Sequence, residues 1–189
     1  MKHLLEHITT LSSGIYSQPD IIADTMYLQA NHFTEKGFFD VSTKPQLKLT
    51  EKNVKHLLKN DDILFAAKGL NNFAVVYHNS IGRAVASSSF IIIRIVDDFK
   101  TKLIPEYLAW CLNNHKQVAV LHQLKTTTTI PSISIAQLSQ LEIHIPDIQK
   151  QQQVLKIQEL YNREQQVEKK IMHLKKIQLQ EILLQAIKK

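Results

Sequence analysis

Residues 147–188 read DIQKQQQVLKIQELYNREQQVEKKIMHLKKIQLQEILLQAIK, and this stretch decides the architecture of the chain. It holds no proline and no glycine and consists almost entirely of helix formers, so one uninterrupted helix is predicted. Pro146 restricts the backbone ahead of it, and Asp147 is placed to cap its first turn. Such a helix is roughly 60 Å long at about 1.5 Å per residue. A domain built from the remaining residues spans only about a few tens of Å, so the helix is expected to project from its body.

Leu160, Val167 and Leu174 recur at every seventh position, with Ile157 and Ile171 at the other seam position. That is the heptad pattern of a coiled coil. Glu164 and Gln178 interrupt the seam, and polar seam residues fix register and partner. Beyond Leu174 the apolar stripe shifts to Leu179, Ile182, Leu183, Ala186 and Ile187. A lone helix carrying such a stripe is unstable in water. A second helix from a partner chain is expected to cover it; the alternative is a helix folded back on its own domain. Lys169, Lys170, Lys175, Lys176, Lys188 and Lys189 read as a solvated face, with DNA contact the rarer use.

The chain has 189 residues, enough for one ordinary domain plus the helix, and its 44% hydrophobic content supports a real core. A formal net charge of +6 permits nucleic acid, an anionic membrane or an acidic protein as partner and does not choose among them. The single cysteine, Cys111, sits in the apolar run 107–112 and reads as a buried small hydrophobe. One cysteine allows no disulfide within the chain, which fits a reducing cytoplasm. Residues 1–6 do not read as a signal peptide, because Glu6 and His7 end the apolar stretch at once. No run approaches the roughly 18 apolar residues of a membrane span.

Residues 1–146 read as an α+β body with an irregular, mostly antiparallel sheet, and residues 147–189 as the long helix. Leu4, Leu5, Ile8 and Leu11 have helical spacing that stops at Ser12-Ser13-Gly14. Residues 26–30 read as a short strand and 31–46 as a long polar loop. Thr50 is predicted to cap a short helix through Leu58, with Val54, Leu57 and Leu58 on its inner face. Residues 63–67 and 73–77 read as strands joined by the turn Lys68-Gly69-Leu70-Asn71-Asn72. Residues 79–83 are a loop, and the β-branched run 89–96 is the best strand, ended by Asp97-Asp98. Pro105 opens a helix through Leu112, and a second helical stretch is expected over about 117–124. A hydroxyl-rich loop over 125–132, a helical turn at 135–138 and a strand at 141–145 complete the body.

Gly14, Gly37, Gly69 and Gly82 are the only glycines and are scattered, so there is no phosphate-cradling loop and no dinucleotide fingerprint. His3 and His7 stand four apart on a predicted helix face without a third ligand, so no metal site is expected. Asp98-Phe99-Lys100 reads as a solvated turn rather than a fragment of a nuclease site. No catalytic residues and no cofactor are expected.

Asp62-Ile63-Leu64-Phe65-Ala66-Ala67-Lys68-Gly69, followed by residues 86–94 (ASSSFIIIR), resembles the target-recognition domain of type I restriction-modification specificity subunits. Residues 104–113 (IPEYLAWCLN) resemble that family's P-x-Y-L helix, and 130–138 (IPSISIAQL) with 141–146 (LEIHIP) resemble its closing segment. Pro146-Asp147-Ile148-Gln149-Lys150-Gln151 resembles the family's Pro-and-Gln approach to a long helix. Asp147 replaces the usual second proline there, and Lys150 the usual glutamate. The motifs follow one another over nearly the whole chain.

The resemblance implies a non-catalytic DNA-reading subunit. It would guide methyltransferase (modification) subunits and a restriction subunit to a bipartite target. Family members usually carry two recognition domains and two long helices packed antiparallel, in about twice this length. One of each here implies a half-subunit, either natural or a fragment; self-pairing through Ile157, Leu160, Val167, Ile171, Leu174, Leu179, Ile182 and Leu183 would restore the arrangement as a homodimer, and a second half-subunit would make it a heterodimer. Duplex DNA binding needs lysine or arginine for phosphates, and amide or hydroxyl groups for base edges. The polar loops supply Lys36, Lys44, Lys68, Asn71, Asn72, Arg83, Lys125, Thr126, Thr127 and Thr128 as candidates. A coiled-coil adaptor or regulator with the same fold and no DNA binding is the alternative function.

Overall fold

The computed structural model describes residues 1–20, 22–34, 39–69, 71–114, 120 and 131–187. Two compact units divide the chain, Met1–Gln151 and Gln152–Lys189. In order, the elements are β1 (Lys2–Leu4), α1 (Leu5–Ile8), β2 (Thr9–Ser13), β3 (Met26–Leu28), β4 (Ile63–Ala66), β5 (Ala74–Val76), β6 (Ala84–Ala86) and β7 (Phe90–Ile95). Then come α2 (Pro105–Leu112), α3 (Ile135–Ser139), β8 (Glu142–His144) and α4 (Ile148–Ile187).

The isoleucine-rich β7 is the centre of the main sheet, as its β-branched composition requires. The order β2-β7-β4-β5 is antiparallel throughout. β4 and, save for Arg94, β7 read as apolar runs because they are buried on both faces. Two short pairs complete the body, β1 with β8 antiparallel and β3 with β6 parallel. The fold is thus α+β with a mostly antiparallel, irregular sheet and a long C-terminal helix. β6 escapes a sequence reading because Ala84-Val85-Ala86 is too short and too alanine-rich to signal a strand.

Two sequence expectations are corrected. The N-terminal helical spacing yields one turn, α1, and Leu11 lies in β2 instead. Thr9 and Thr10 are β-branched, and Thr9–Ser13 pairs over its full length with Ile95–Ile91. That ladder outweighs a weak helical pattern. His3 accordingly sits in β1 and shares no helix face with His7. The helix expected from Thr50 is only a 3₁₀ turn at Val54–His56, with Val54 exposed and Leu58 buried. The Thr50 side chain makes no cap: its N–H donates to Asn53 Oδ1 at 2.6 Å, and Asn53 Nδ2 donates to the Lys48 carbonyl at 2.9 Å. Asparagine side chains compete with helix in this way. The stretch 117–124 lies outside the described residues save Val120.

Three polar clamps hold the N-terminal unit. Arg94 on β7 donates from Nε and Nη2 to the two oxygens of Asp62, both at 2.6 Å. Lys59 N–H adds a bond to the same carboxylate at 2.8 Å, and the Asp62 side chain is only 1% exposed. Asn113, just past α2, takes Ala74 N–H on Oδ1 and gives Nδ2 to the Ala74 carbonyl, both at 2.8 Å. It thereby occupies hydrogen-bonding groups of the edge strand β5. Gln151 in the first turn of α4 is completely buried and bonded to Lys102, Ile104 and Pro146.

α4 is one 40-residue helix. Asp147 caps it, accepting the Lys150 N–H at 2.9 Å. That N–H, and then the Lys150 side chain, hold the Asp147 carboxyl below the usual carboxylate range. None of residues 152–187 is fully buried, and the seam residues Ile157, Leu160, Val167, Ile171, Leu174, Leu179, Ile182 and Leu183 are all exposed.

Candidate nucleic-acid interface

The turn after β4 is built by backbone bonds to a distant segment. Ala67 N–H donates to the Ser89 carbonyl and accepts Ile133 N–H on its own carbonyl, each at 2.9 Å. Lys68 bridges Ser132, and Gly69 N–H donates to the Pro131 carbonyl at 2.9 Å. Gly69 has φ +101°, a left-handed conformation that glycine adopts freely. Lys68 and Asn71 are exposed here. Asn72 points the other way: its Nδ2 donates to the Ala66 carbonyl at 2.7 Å, and its Oδ1 is buried without a partner. Its amide shapes the turn.

An aromatic cluster roots this turn beside two others. Phe33 packs on Phe39, Phe73 and Phe90 at centroid distances of 5.5, 5.9 and 5.8 Å, and Phe73 meets Phe90 at 6.1 Å. Phe73 closes the Lys68–Asn72 turn. Phe33 and Phe39 flank the segment holding Lys36 and form a β-bridge with each other. Phe90 follows the Ser87–Ser89 turn, where the two hydroxyls lie 2.6 Å apart and Ser87 is buried. These rings were not singled out from sequence. The signal was present, since each phenylalanine directly flanks or lies close to a polar loop.

At the foot of the Lys36 segment, Gln29 N–H donates to His32 Nδ1 at 3.3 Å, and Asp40 N–H donates to the His32 carbonyl at 2.9 Å. Burial pushes the His32 imidazole below its ordinary pKa, with Asp40 opposing the shift.

Lys36, Lys125, Thr126, Thr127 and Thr128 lie outside the described residues. Pro131, the next described residue after them, accepts the Gly69 N–H. Arg83 and Lys44 belong to a different place. The Arg83 carbonyl accepts Met26 N–H at 2.8 Å, and its exposed guanidinium stands 4.0 Å from Asp24. Lys44 is exposed three residues before Leu47, which bridges Thr25. Both therefore flank the start of β3, and β6 separates Arg83 from Ser87 by about 13 Å at ~3.3 Å per residue. Among the described residues no carboxylate lies within ion-pair distance of Lys68 or Lys44. Such lysines are free to neutralise phosphates. Among the described residues no cluster of three or more metal-ligating side chains occurs, and no helix is long and apolar enough to cross a membrane.

A small α+β body that presents polar turns from a shared root, continued by a long helix, is the build of a recognition module with a helical extension. The chain belongs to the type I restriction modification DNA specificity domain family, which matches residues 20–176. No curated protein matches it. Among solved structures it is similar to the type I restriction-modification S subunit from M. genitalium (14% identity, TM-score 0.59), covering 86% of this chain and 39% of that one. The HsdS subunit from Thermoanaerobacter tengcongensis gives 11% identity and a TM-score of 0.58, covering 87% and 37%. A chain from a structure of type I R-M complex assembly and conformational transition gives 11% and 0.55, covering 87% and 38%. The likeness to these structures is one of fold, and the chain spans less than two fifths of each.

Proposed function

We propose that this chain is a non-catalytic, DNA-reading part of a specificity subunit that directs modification and restriction subunits to a bipartite target. The observation that carries the reading is the DNA specificity domain match over residues 20–176. Residues 1–146 read one half-site, and two copies pair through the α4 seam into a two-fold reader of an inverted repeat. The exposed apolar seam supports that pairing, because such a stripe left in water is costly. Methyl transfer, cleavage and their cofactors belong to the partner subunits, in the cytoplasm.

Lys68, Asn71 and the loops holding Lys36 and Lys125–Thr128 form the reading rim. The packing of Phe33 and Phe39, which flank Lys36, with Phe73, which follows Asn72, supports grouping the Lys36 and Lys68 segments. Lys44 and Arg83 supply phosphate contacts further along the body. Asn72 acts through the shape of the turn. Lys68→Ala weakens binding to every sequence and lowers the salt dependence by about one unit.

A mobility-shift assay on randomised duplexes, with and without a modification subunit, tests the proposal. A salt-sensitive shifted band is expected, sharpened by the modification subunit. No shift under either condition sinks it and leaves the adaptor reading.

A further inference from the structure

Tyr16 is 78% exposed, yet the chain that carries it is held on both sides. The buried Tyr27 hydroxyl donates to the Ile15 carbonyl at 2.9 Å and accepts the Ser17 N–H at 3.1 Å. Ile15 N–H donates to the Ala86 carbonyl at 3.0 Å, and Ile15 packs against the cluster of Tyr27, Leu47 and Val85. Gly14 N–H, one residue earlier, donates to the Phe90 carbonyl at 3.0 Å. The fold thus fixes the main chain at residues 14, 15 and 17 and leaves the ring between them in water. A tyrosine has only two side-chain torsions to fix, so a ring presented this way binds at little entropic cost.

Strand register sets where that ring stands. β2 and β4 both run antiparallel to β7, one on each side, with Ser13 opposite Ile91 and Ala66 opposite Phe90. Both therefore leave the sheet beside the start of β7, about 10 Å apart at roughly 4.8 Å per strand. Tyr16 follows one exit and Lys68 the other. The Ser87–Ser89 turn lies between them: Ile15 bridges Ser87, and Ala67 N–H donates to the Ser89 carbonyl at 2.9 Å. At no more than ~3.4 Å per residue, the Cα atoms of Tyr16 and Lys68 lie within about 27 Å of each other. That is less than one turn of B-DNA, about 34 Å.

The exposed residues beside Tyr16 in the chain are Ser12, Ser13, Gln18, Pro19 and Asp20, so its ring is a single aromatic in polar surroundings. Anchors of protein interfaces sit instead within an apolar core. Among the described residues no carboxylate lies within ion-pair distance of Lys68, across the turn. A lone ring near such a lysine fits a base step flanked by phosphates. We propose that Tyr16 is a DNA-contacting residue that wedges its ring into one base step of the half-site and makes that step selective for sequences that unstack easily. Pyrimidine–purine steps unstack most easily. The inference rests on the proposed reading of the body as DNA reader. Lys68 neutralises phosphate and Tyr16 reads deformability, so the two contributions are separable.

The test uses the full chain with a modification subunit, and duplexes recovered by binding from a randomised pool. The parent is expected to return a motif with a pyrimidine–purine step at one fixed place. Tyr16→Ala is expected to bind that duplex at least about fivefold more weakly, the low end for lost base–aromatic stacking. Its salt dependence stays that of the parent, and it loses preference at that step alone. Tyr16→Phe keeps the parent's affinity and preference. A parent motif without such a step, or a Tyr16→Ala chain that binds like the parent, overturns the inference. So does a lowered salt slope, since phosphate contacts were then lost with the ring. A Tyr16→Phe chain as weak as Tyr16→Ala also overturns it, because the hydroxyl is then the contact. Loss of assembly with the modification subunit, or a lowered melting temperature, overturns it too, because the ring then serves a protein contact or the fold. A parent that binds no duplex overturns the functional reading beneath it instead.

Discussion

Asp62 and Arg94 open and close the two sequence blocks that most resemble the specificity family, and in the fold they grip each other. The pair joins β4 to β7 through a carboxylate that water barely reaches. Removing Arg94 strands the buried Asp62 carboxylate, so Arg94→Ala is expected to cost about 3–5 kcal/mol by urea denaturation. Replacing both with apolar residues of similar volume should recover most of that loss. His32 gives a pH signature. Its pKa is lowered from 6.5, so the fold favours the neutral ring that accepts the Gln29 N–H. Stability is then full above the unfolded pKa and falls as pH drops below about 6.5 toward the folded value. His32→Gln should remove that component from a pH series of melting curves. Cys111 is buried, and burial pushes its thiol up to about 11. Iodoacetamide at pH 8 should label it only as fast as the protein opens. The burial of Cys111 and the cap at Asp147 were legible because their causes are local in sequence. The partners of Asp62 and Gln151 were not, because each meets residues tens of positions away.

Among the elements, those whose composition and neighbours agree were readable. β7 is a run of β-branched residues, β4 and β5 bracket a polar turn, α2 starts at a proline, and α4 has no breaker. Where local pattern and tertiary pairing conflict, pairing wins: Thr9–Ser13 leaves a helical pattern to join β7. The candidate site was legible only as separate loops. What brings the flanks of two of them together with the Ser87–Ser89 turn is a cluster of phenylalanines far apart in sequence, a tertiary fact without periodicity. The edge of β5 offers a test at this scale. Asn113 satisfies both main-chain groups of Ala74, so Asn113→Ala should cost about 1–3 kcal/mol and raise hydrogen exchange in β5 first. Just past β2, at the opposite edge of the sheet, Gly14 lies so close to the Ser87 and Ala86 carbonyls that a Cβ there collides with backbone. Gly14→Ala should therefore destabilise by about 1–3 kcal/mol in the same denaturation assay.

At the scale of the whole molecule, the account depends on the apolar seam of α4. Ile157, Leu160, Val167, Ile171 and Leu174 lie exposed along one heptad frame, broken at Glu164. A second copy presents the same frame, so the proposed two-fold pairing would cover both seams and yield two reading bodies for an inverted target. Light scattering on the full chain at tens of micromolar tests this most directly. The account predicts a mass twice the 21.8 kDa of one chain, returning to the single value when Leu160 and Val167 are both changed to glutamate. A mass of one chain for the unaltered protein would contradict it.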